Sequence, residues 1–229
     1  LQDAAGVPYS SEVAEHRALA GGWLGRMHVS PTFSKLKACL PARGLDHYLK
    51  LLRRCRATLL DHLTNNTDVS GQDAALLRSV VWHCDVLESH WGELEQICGV
   101  IPPALVHGDF AAKNVRVQMA VGGAALMVFD WEHSGWGPPV MDLAQCASRV
   151  ISPDLFAYCS VMKRDYPDLE LRDVKRAAEC GNLVRMVSEI DWANALLRFG
   201  SPRFLPKPFA TLRIYEPRLE AVLRALNWS

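Results

Sequence analysis

The stretch LVHGDFAAKNVRV, residues 105–117, sets a histidine, an aspartate and an asparagine in one short loop between two apolar runs. Before it, Ala104-Leu105-Val106 reads as a short buried strand. After it, residues 115–119 and 125–129 both have strand character, and the loop between them contains Gly122-Gly123. Antiparallel partners in such a hairpin run in opposite directions from its centre. With the turn centred on Gly122, Val115 faces Phe129 and Val117 faces Met127, and the next pair outward is Asn114 with Asp130. This spacing predicts an amide carbonyl and a carboxylate meeting at the open end of the hairpin, beside the loop that carries Asp109. Glu132 follows two positions beyond Asp130. Hard oxygen donors of this kind suit Mg²⁺ shared with phosphates. Alone, each residue reads as an ordinary turn or strand end; together with Asp109 they point to chemistry.

The flanking sequence is helical in pattern. Residues LQDAAGVPYS (1–10) read as a strand end running into a turn, after which Ser10 or Ser11 caps a helix with Val13, Ala14, Ala18, Trp23, Leu24 and Met27 at its apolar positions. Gly21-Gly22 inside that helix weakens it and points to close packing on a neighbour. A second helix is expected over roughly 45–63, and a third, capped by Ser70, runs to about residue 98. Beyond Pro138-Pro139 the pattern predicts helices near 139–151, 153–165 with Ser152 as cap, 170–198 and 207–227.

Composition narrows the class. The chain has 229 residues, 49% of them hydrophobic, which supports a sizeable core. Lys plus Arg and Asp plus Glu balance at 25 each, with a sequence pI near 7.2, so charge gives no reason to expect nucleic acid or a membrane surface as partner. Cysteines at positions 39, 55, 84, 98, 146, 159 and 180 form no Cys-x-x-Cys pair, a usage that suits a reducing cytoplasm. His83 and His90 share a helix face without a third ligand at metal spacing. No apolar run reaches the ~18 residues of a membrane span, and the N-terminus has no signal-peptide pattern; a cytoplasmic location is the expectation.

His107-Gly108-Asp109, with Asn114 five residues after the aspartate and Asp130-Trp131-Glu132 after the hairpin, resembles the aminoglycoside phosphotransferase and choline kinase family, which shares the protein-kinase fold. Gly135-Trp136-Gly137-Pro138-Pro139, followed by Asp142-Leu143-Ala144, is similar to its pattern. So is Leu24-Gly25-Arg26-Met27-His28, with Met where the family has a second leucine. The resemblance implies an α+β, mainly helical fold: a protein-kinase-like C-terminal lobe with a central β-hairpin over residues 7–229. Within it lie the catalytic loop 105–114, the metal-binding motif 130–132 and acceptor-binding helices over 139–229. Residues 1–6 resemble the hinge between lobes, and the N-terminal nucleotide-binding lobe is the part for which no glycine-rich loop or strand lysine can be assigned.

The implied activity moves the γ-phosphoryl group of ATP, or another nucleoside triphosphate, to a hydroxyl of an aminoglycoside-like, sugar or amino-alcohol acceptor. Asp109 would orient that hydroxyl and take its proton; Asn114, Asp130 and Glu132 would hold Mg²⁺. His107 would brace the loop, Asp142 would accept bonds from its backbone amides, and Lys113 could reach a phosphate. Glu189 and Asp191, with Trp192 as a stacking surface, are candidate acceptor contacts for a cationic small molecule. The competing reading is that carboxylates at i and i+2 diverge and one meets Arg185 or Arg198. Three origins of the sequence are open: a small lobe outside this stretch, an expressed C-terminal lobe, or a short protein that has lost nucleotide binding and serves as a non-catalytic binding module. Residues 1–229 alone are expected to bind ATP weakly or not at all, and to be inactive as a kinase if the N-terminal lobe is truly absent. Oligomeric state is unread.

Overall fold

A computed structural model describes residues 6–65, 69–121, 123–145, 151–197 and 205–228. Strand β1 (Val7–Pro8) leads to helices α1 (Ala14–His28), α2 (Pro31–Ser34), α3 (Leu45–Asn65), α4 (Gly71–Ser89) and α5 (Trp91–Cys98). Strands β2 (Ala104–Val106), β3 (Val115–Ala120), β4 (Gly123–Val128) and β5 (Gly135–Gly137) follow, and helices α6 (Leu155–Met162), α7 (Leu171–Leu197) and α8 (Pro206–Ala225) complete the chain. The fold is α+β and mainly helical, as expected. The run 1–6 read as a hinge lies, apart from Gly6, outside the described residues.

Two compact units divide the chain: one is Leu1–Gly44 with Gln96–Asn182, the other Leu45–Glu95 with Leu183–Ser229. The first holds both sheets. Strands β1, β3 and β4 form an antiparallel sheet in that order, with Val7 opposite Val117, while β2 and β5 pair separately. Val106, Val115, Leu143 and Tyr158 are fully buried in this unit. In the second unit α4 packs on α3 and on α8, burying Leu52, Leu59, Leu77, Val80 and Leu223.

The hairpin register differs from expectation by one residue. Val115 pairs with Val128 and Val117 with Leu126, and the ladder closes at Ala120 opposite Gly123. Gly123 has φ of 121°, a conformation rarely open to other residues, which lets the chain turn one residue earlier than a loop centred on Gly122. The slip matters because side chains in a strand alternate faces. Asn114 lies opposite Phe129, whose N–H donates to the Asn114 carbonyl at 3.1 Å, rather than opposite Asp130.

Several helix limits also move. Helix α1 begins at Ala14 without a side-chain cap, because the Ser10 hydroxyl accepts from the Glu12 N–H instead. Ser70 does cap α4, accepting from Asp73 N–H at 3.1 Å, but the helix stops at His90, whose ring turns back to the Val86 carbonyl and stacks on Trp228. Asp154, not Ser152, caps α6. The helix expected over 139–151 is a single 3₁₀ turn at Pro139–Met141, its later residues 146–150 lying outside the described ones.

Close packing at the α1 glycines is real, and it belongs to Gly21 and Gly25. A Cβ on Gly21 would sit 2.1 Å from the Asp154 carbonyl oxygen, and one on Gly25 would sit 2.7 Å from Val161 Cβ. Gly22 meets only the end of the Arg26 side chain, at 3.3 Å. One turn of spacing therefore lays α6 directly on the α1 backbone.

Two outcomes follow. Gly21→Ala lowers stability by about 2 kcal/mol, because backbone cannot yield to the new methyl, whereas Gly22→Ala raises it by up to about 1 kcal/mol through helix propensity; urea unfolding midpoints read both signs. The Cys84 thiol, pushed up to about 12 by burial and then by the Asp85 charge, exposes roughly one thiolate in ten thousand at pH 8. It stays unalkylated by iodoacetamide while the exposed Cys39 reacts.

Candidate active site

The loop after β2 is shaped by one buried carboxylate. Asp142 is 2% exposed; its Oδ2 accepts the His107 N–H at 2.7 Å and its Oδ1 the Gly108 N–H at 3.0 Å. Both bonds are charge-assisted and shielded from water, which makes them strong for their type. Gly108 has φ of +79°, and a Cβ there would lie 2.4 Å from the His133 carbonyl oxygen. Only glycine fits, on both grounds.

His107 is fully buried. Its Nδ1 accepts the Asp109 N–H at 3.2 Å, so the ring proton sits on Nε2 and donates to the Phe129 carbonyl at 3.1 Å. Phe129 is thus held by the loop on both sides, its N–H by Asn114 and its carbonyl by His107. The next residue, Asp130, is half-buried and left-handed, with φ of 69° and ψ of 61°. A non-glycine residue there costs about 1–3 kcal/mol, a strain that persists where the surroundings impose it.

Asp109, itself buried, joins this arrangement to Asn114 and to the exposed Lys113. Its Oδ2 accepts the Asn114 Nδ2–H at 3.0 Å and lies 2.8 Å from Lys113 Nζ; its carbonyl takes a second bond from Asn114 Nδ2 at 2.9 Å. Both of these bonds are made by the Asn114 amide nitrogen and neither by its Oδ1. Lys113 is more than half exposed. Glu132 is exposed and lies 3.4 Å from His133 Nε2. His107, Asp109, Lys113, Asn114 and Asp142 are therefore one bonded network, with Asp130 attached through Phe129 and Glu132 outside it. Among the described residues no three His, Cys, Asp or Glu side chains cluster as a metal site.

Aromatic rings back the loop. Trp131 lies 4.7 Å from the His107 ring, and Trp23 of α1 stacks on Phe110 at 5.6 Å. Sequence reasoning gave these rings no role. Trp23 was legible only as an apolar position of its helix.

In the second unit Glu189 pairs with Arg185 at 2.9 Å. Asp191 receives two bonds from Arg54, at 2.8 and 2.6 Å. That bidentate contact, through its hydrogen bonds, holds the Arg54 guanidinium pKa above its usual value. Trp192 is exposed, with Lys207 Nζ 4.8 Å from its ring centre. The two carboxylates go to different cations, in line with the diverging i, i+2 geometry. Among the described residues no helix is long and apolar enough to cross a membrane.

Residues 3–186 match the family model described as the phosphotransferase enzyme family. No curated protein sequence matches the chain. Among solved structures, choline kinase from Cryptosporidium parvum Iowa II is similar with a TM-score of 0.60 at 13% identity, over 98% of this chain and 71% of that one. Ethanolamine kinase from Plasmodium vivax gives 0.56 at 14%, over 92% of this chain, which spans only 62% of that enzyme. Spectinomycin phosphotransferase in its AMP-bound complex gives 0.56 at 12%, over 94% and 69%. These likenesses establish the protein-kinase-like fold.

Replacing Asp142 by Asn turns one of two acceptors toward a backbone N–H as a donor. The cost is about 3 kcal/mol, since a buried amide loses its partner. Thermal unfolding reads that loss; a change under 0.5 kcal/mol would contradict the account of the loop.

Proposed function

The chain belongs to the phosphotransferase enzyme family, and we propose from this that it carries the catalytic lobe of a kinase moving the γ-phosphoryl group of ATP, or another nucleoside triphosphate, onto a hydroxyl of a small molecule. An amino alcohol, a sugar or an aminoglycoside-like compound is the proposed acceptor class. The observation that carries the reading is the setting of Asp109: a nearly buried carboxylate on a loop hung from Asp142, with the Asn114 amide nitrogen bonded to it.

Phosphoryl transfer asks the protein for positioning and charge compensation more than for covalent chemistry. Asp109 is the proposed acceptor of the substrate hydroxyl proton. Lys113 Nζ lies 2.8 Å from the same Oδ2 that accepts the Asn114 amide, and its proposed role is to move from there to a nucleotide phosphate. Asn114 Oδ1 and the Asp130 carboxylate are hard donors that fit Mg²⁺, and the imposed backbone of Asp130 fixes where its carboxylate starts. Glu132, facing solvent, could join through water. Bound Mg²⁺ would supply charge neutralisation at the phosphates. Glu189, Asp191 and Trp192 remain proposed acceptor contacts only if a cationic ligand displaces Arg185 and Arg54 from the carboxylates.

The deciding assay follows transfer of labelled γ-phosphate from ATP and GTP to a panel of amino alcohols, sugars and aminoglycosides. Asp109→Asn is expected to lower kcat by about a thousandfold, with nucleotide affinity changed little. Unchanged transfer in that variant would remove Asp109 from the chemistry. Acceptor binding without transfer at saturating nucleotide would instead favour a non-catalytic binding module.

A further inference from the structure

Leu24-Gly25-Arg26-Met27-His28 was a motif without a chemical role, and the structure supplies one for its last residue. His28 ends α1 with its side chain fully buried. Its Nδ1 lies 3.0 Å from the hydroxyl of Tyr158, and its Nε2 lies 3.7 Å from Asp142 Oδ2, the oxygen that also accepts the His107 N–H. That Nε2 has no hydrogen-bond partner and is sealed from water. A distance of 3.7 Å is too long for a hydrogen bond, but it is a close approach for a polar atom and a charge with no solvent between them.

The two contacts decide the tautomer. The Tyr158 hydroxyl is itself buried, with its pKa raised far above the ordinary value by burial and then by the Asp142 charge, so it keeps its proton and needs an acceptor. The imidazole Nδ1 lone pair meets that need. Neutral His28 then carries its proton on Nε2, directed at the carboxylate. The opposite tautomer would aim a lone pair at Asp142 and leave the phenol proton unbonded, two costs in one arrangement.

Tyr158 reaches His28 because α6 lies on the glycine face of α1: a Cβ at Gly21 would meet the Tyr158 N at 3.1 Å, and one at Gly25 its carbonyl oxygen at 3.3 Å. We propose that His28 is a positioning residue of the catalytic loop: Tyr158 fixes its tautomer so that Nε2–H supports the Asp142 carboxylate, and through it the His107 and Gly108 amides. The glycine contact, the phenol, the imidazole and the carboxylate form a buried line from the α1–α6 packing to Asp109. The catalytic consequence rests on the phosphotransfer reading; the tautomer and the loop geometry do not.

The first test uses the unaltered full chain, labelled with ¹⁵N. Long-range ¹H–¹⁵N correlations, with the His28 ring assigned by its loss in His28→Gln, are expected to show a protonated Nε2 and an acceptor Nδ1. A protonated Nδ1 would overturn the proposal. In a second measurement, amide hydrogen exchange at His107 and Gly108 is expected to speed up about tenfold in His28→Leu. His28→Gln, which keeps an N–H donor, is expected to recover most of that protection, and amides of α3 are expected to stay unchanged in both. Equal exchange in wild type and His28→Leu would sink it.

Where γ-phosphate transfer is detected, His28→Leu is expected to lower kcat about tenfold with acceptor KM within twofold. An unchanged kcat would leave no positioning role. Where wild type binds nucleotide and acceptor yet transfers no phosphate, the phosphotransfer reading fails, and the ring and exchange results still decide the placement of His28.

Discussion

The two oxygens of Asp142 accept the backbone amides of residues 35 and 34 positions earlier in the chain, His107 and Gly108, and the rest of the site is built outward from those bonds. A loop that turns sharply at a glycine with positive φ leaves N–H groups pointing away from any strand partner. Buried and unpaired, each would cost about 1–3 kcal/mol. One ionised carboxylate satisfies both, and in doing so it fixes the direction in which the next residue, Asp109, leaves the loop. The position of the Asp109 carboxylate is thus set by a second carboxylate that faces the interior.

From that anchor the order spreads by backbone as much as by side chains. His107 joins the loop to Phe129 and, through its other nitrogen, to the Asp109 amide. Asn114 holds Asp109 with its side chain and Phe129 with its carbonyl. Asp130 inherits its place from Phe129. The hairpin therefore serves the site through its first ladder rung and the residue after its last. This explains how the site tolerates the one-residue change in register: the expected side-chain pairing of Asn114 with Asp130 is replaced by a backbone bond from Asn114 to Phe129, and Asp130 gains a left-handed turn.

Much of the site was legible in the chain. Asp109, Asn114 and Asp130 stand out because polar residues able to bind oxygen chemistry interrupt apolar strands at short spacing, a local property. Helices α3, α7 and α8 were readable for the same reason, their apolar periodicity being long. The failures share a cause. Ser10 and Ser152 are sound cap residues, yet the real limits were set by the Asp154 cap and by a backbone bond from Asp154 N–H to the Arg17 carbonyl. The long helix ending near residue 98 broke at His90, where stacking on Trp228 contributes a contact far away in sequence.

Sequence alone determined the inventory: a mainly helical α+β chain, a loop with one aspartate, one asparagine and one histidine, and a hairpin bringing a further aspartate back to it. It also determined that Gly21-Gly22 meant close packing. Tertiary structure decided which glycines touch, Gly21 and Gly25 rather than Gly22, and decided that His28 and Tyr158 stand next to Asp142. It decided, too, that Glu189 and Asp191 lie on arginines. The physical reason is the range of the interactions. Periodicity, turn chemistry and ligand type are written over a few consecutive residues, whereas buried polar contacts join groups more than a hundred residues apart, as His28 and Tyr158 are.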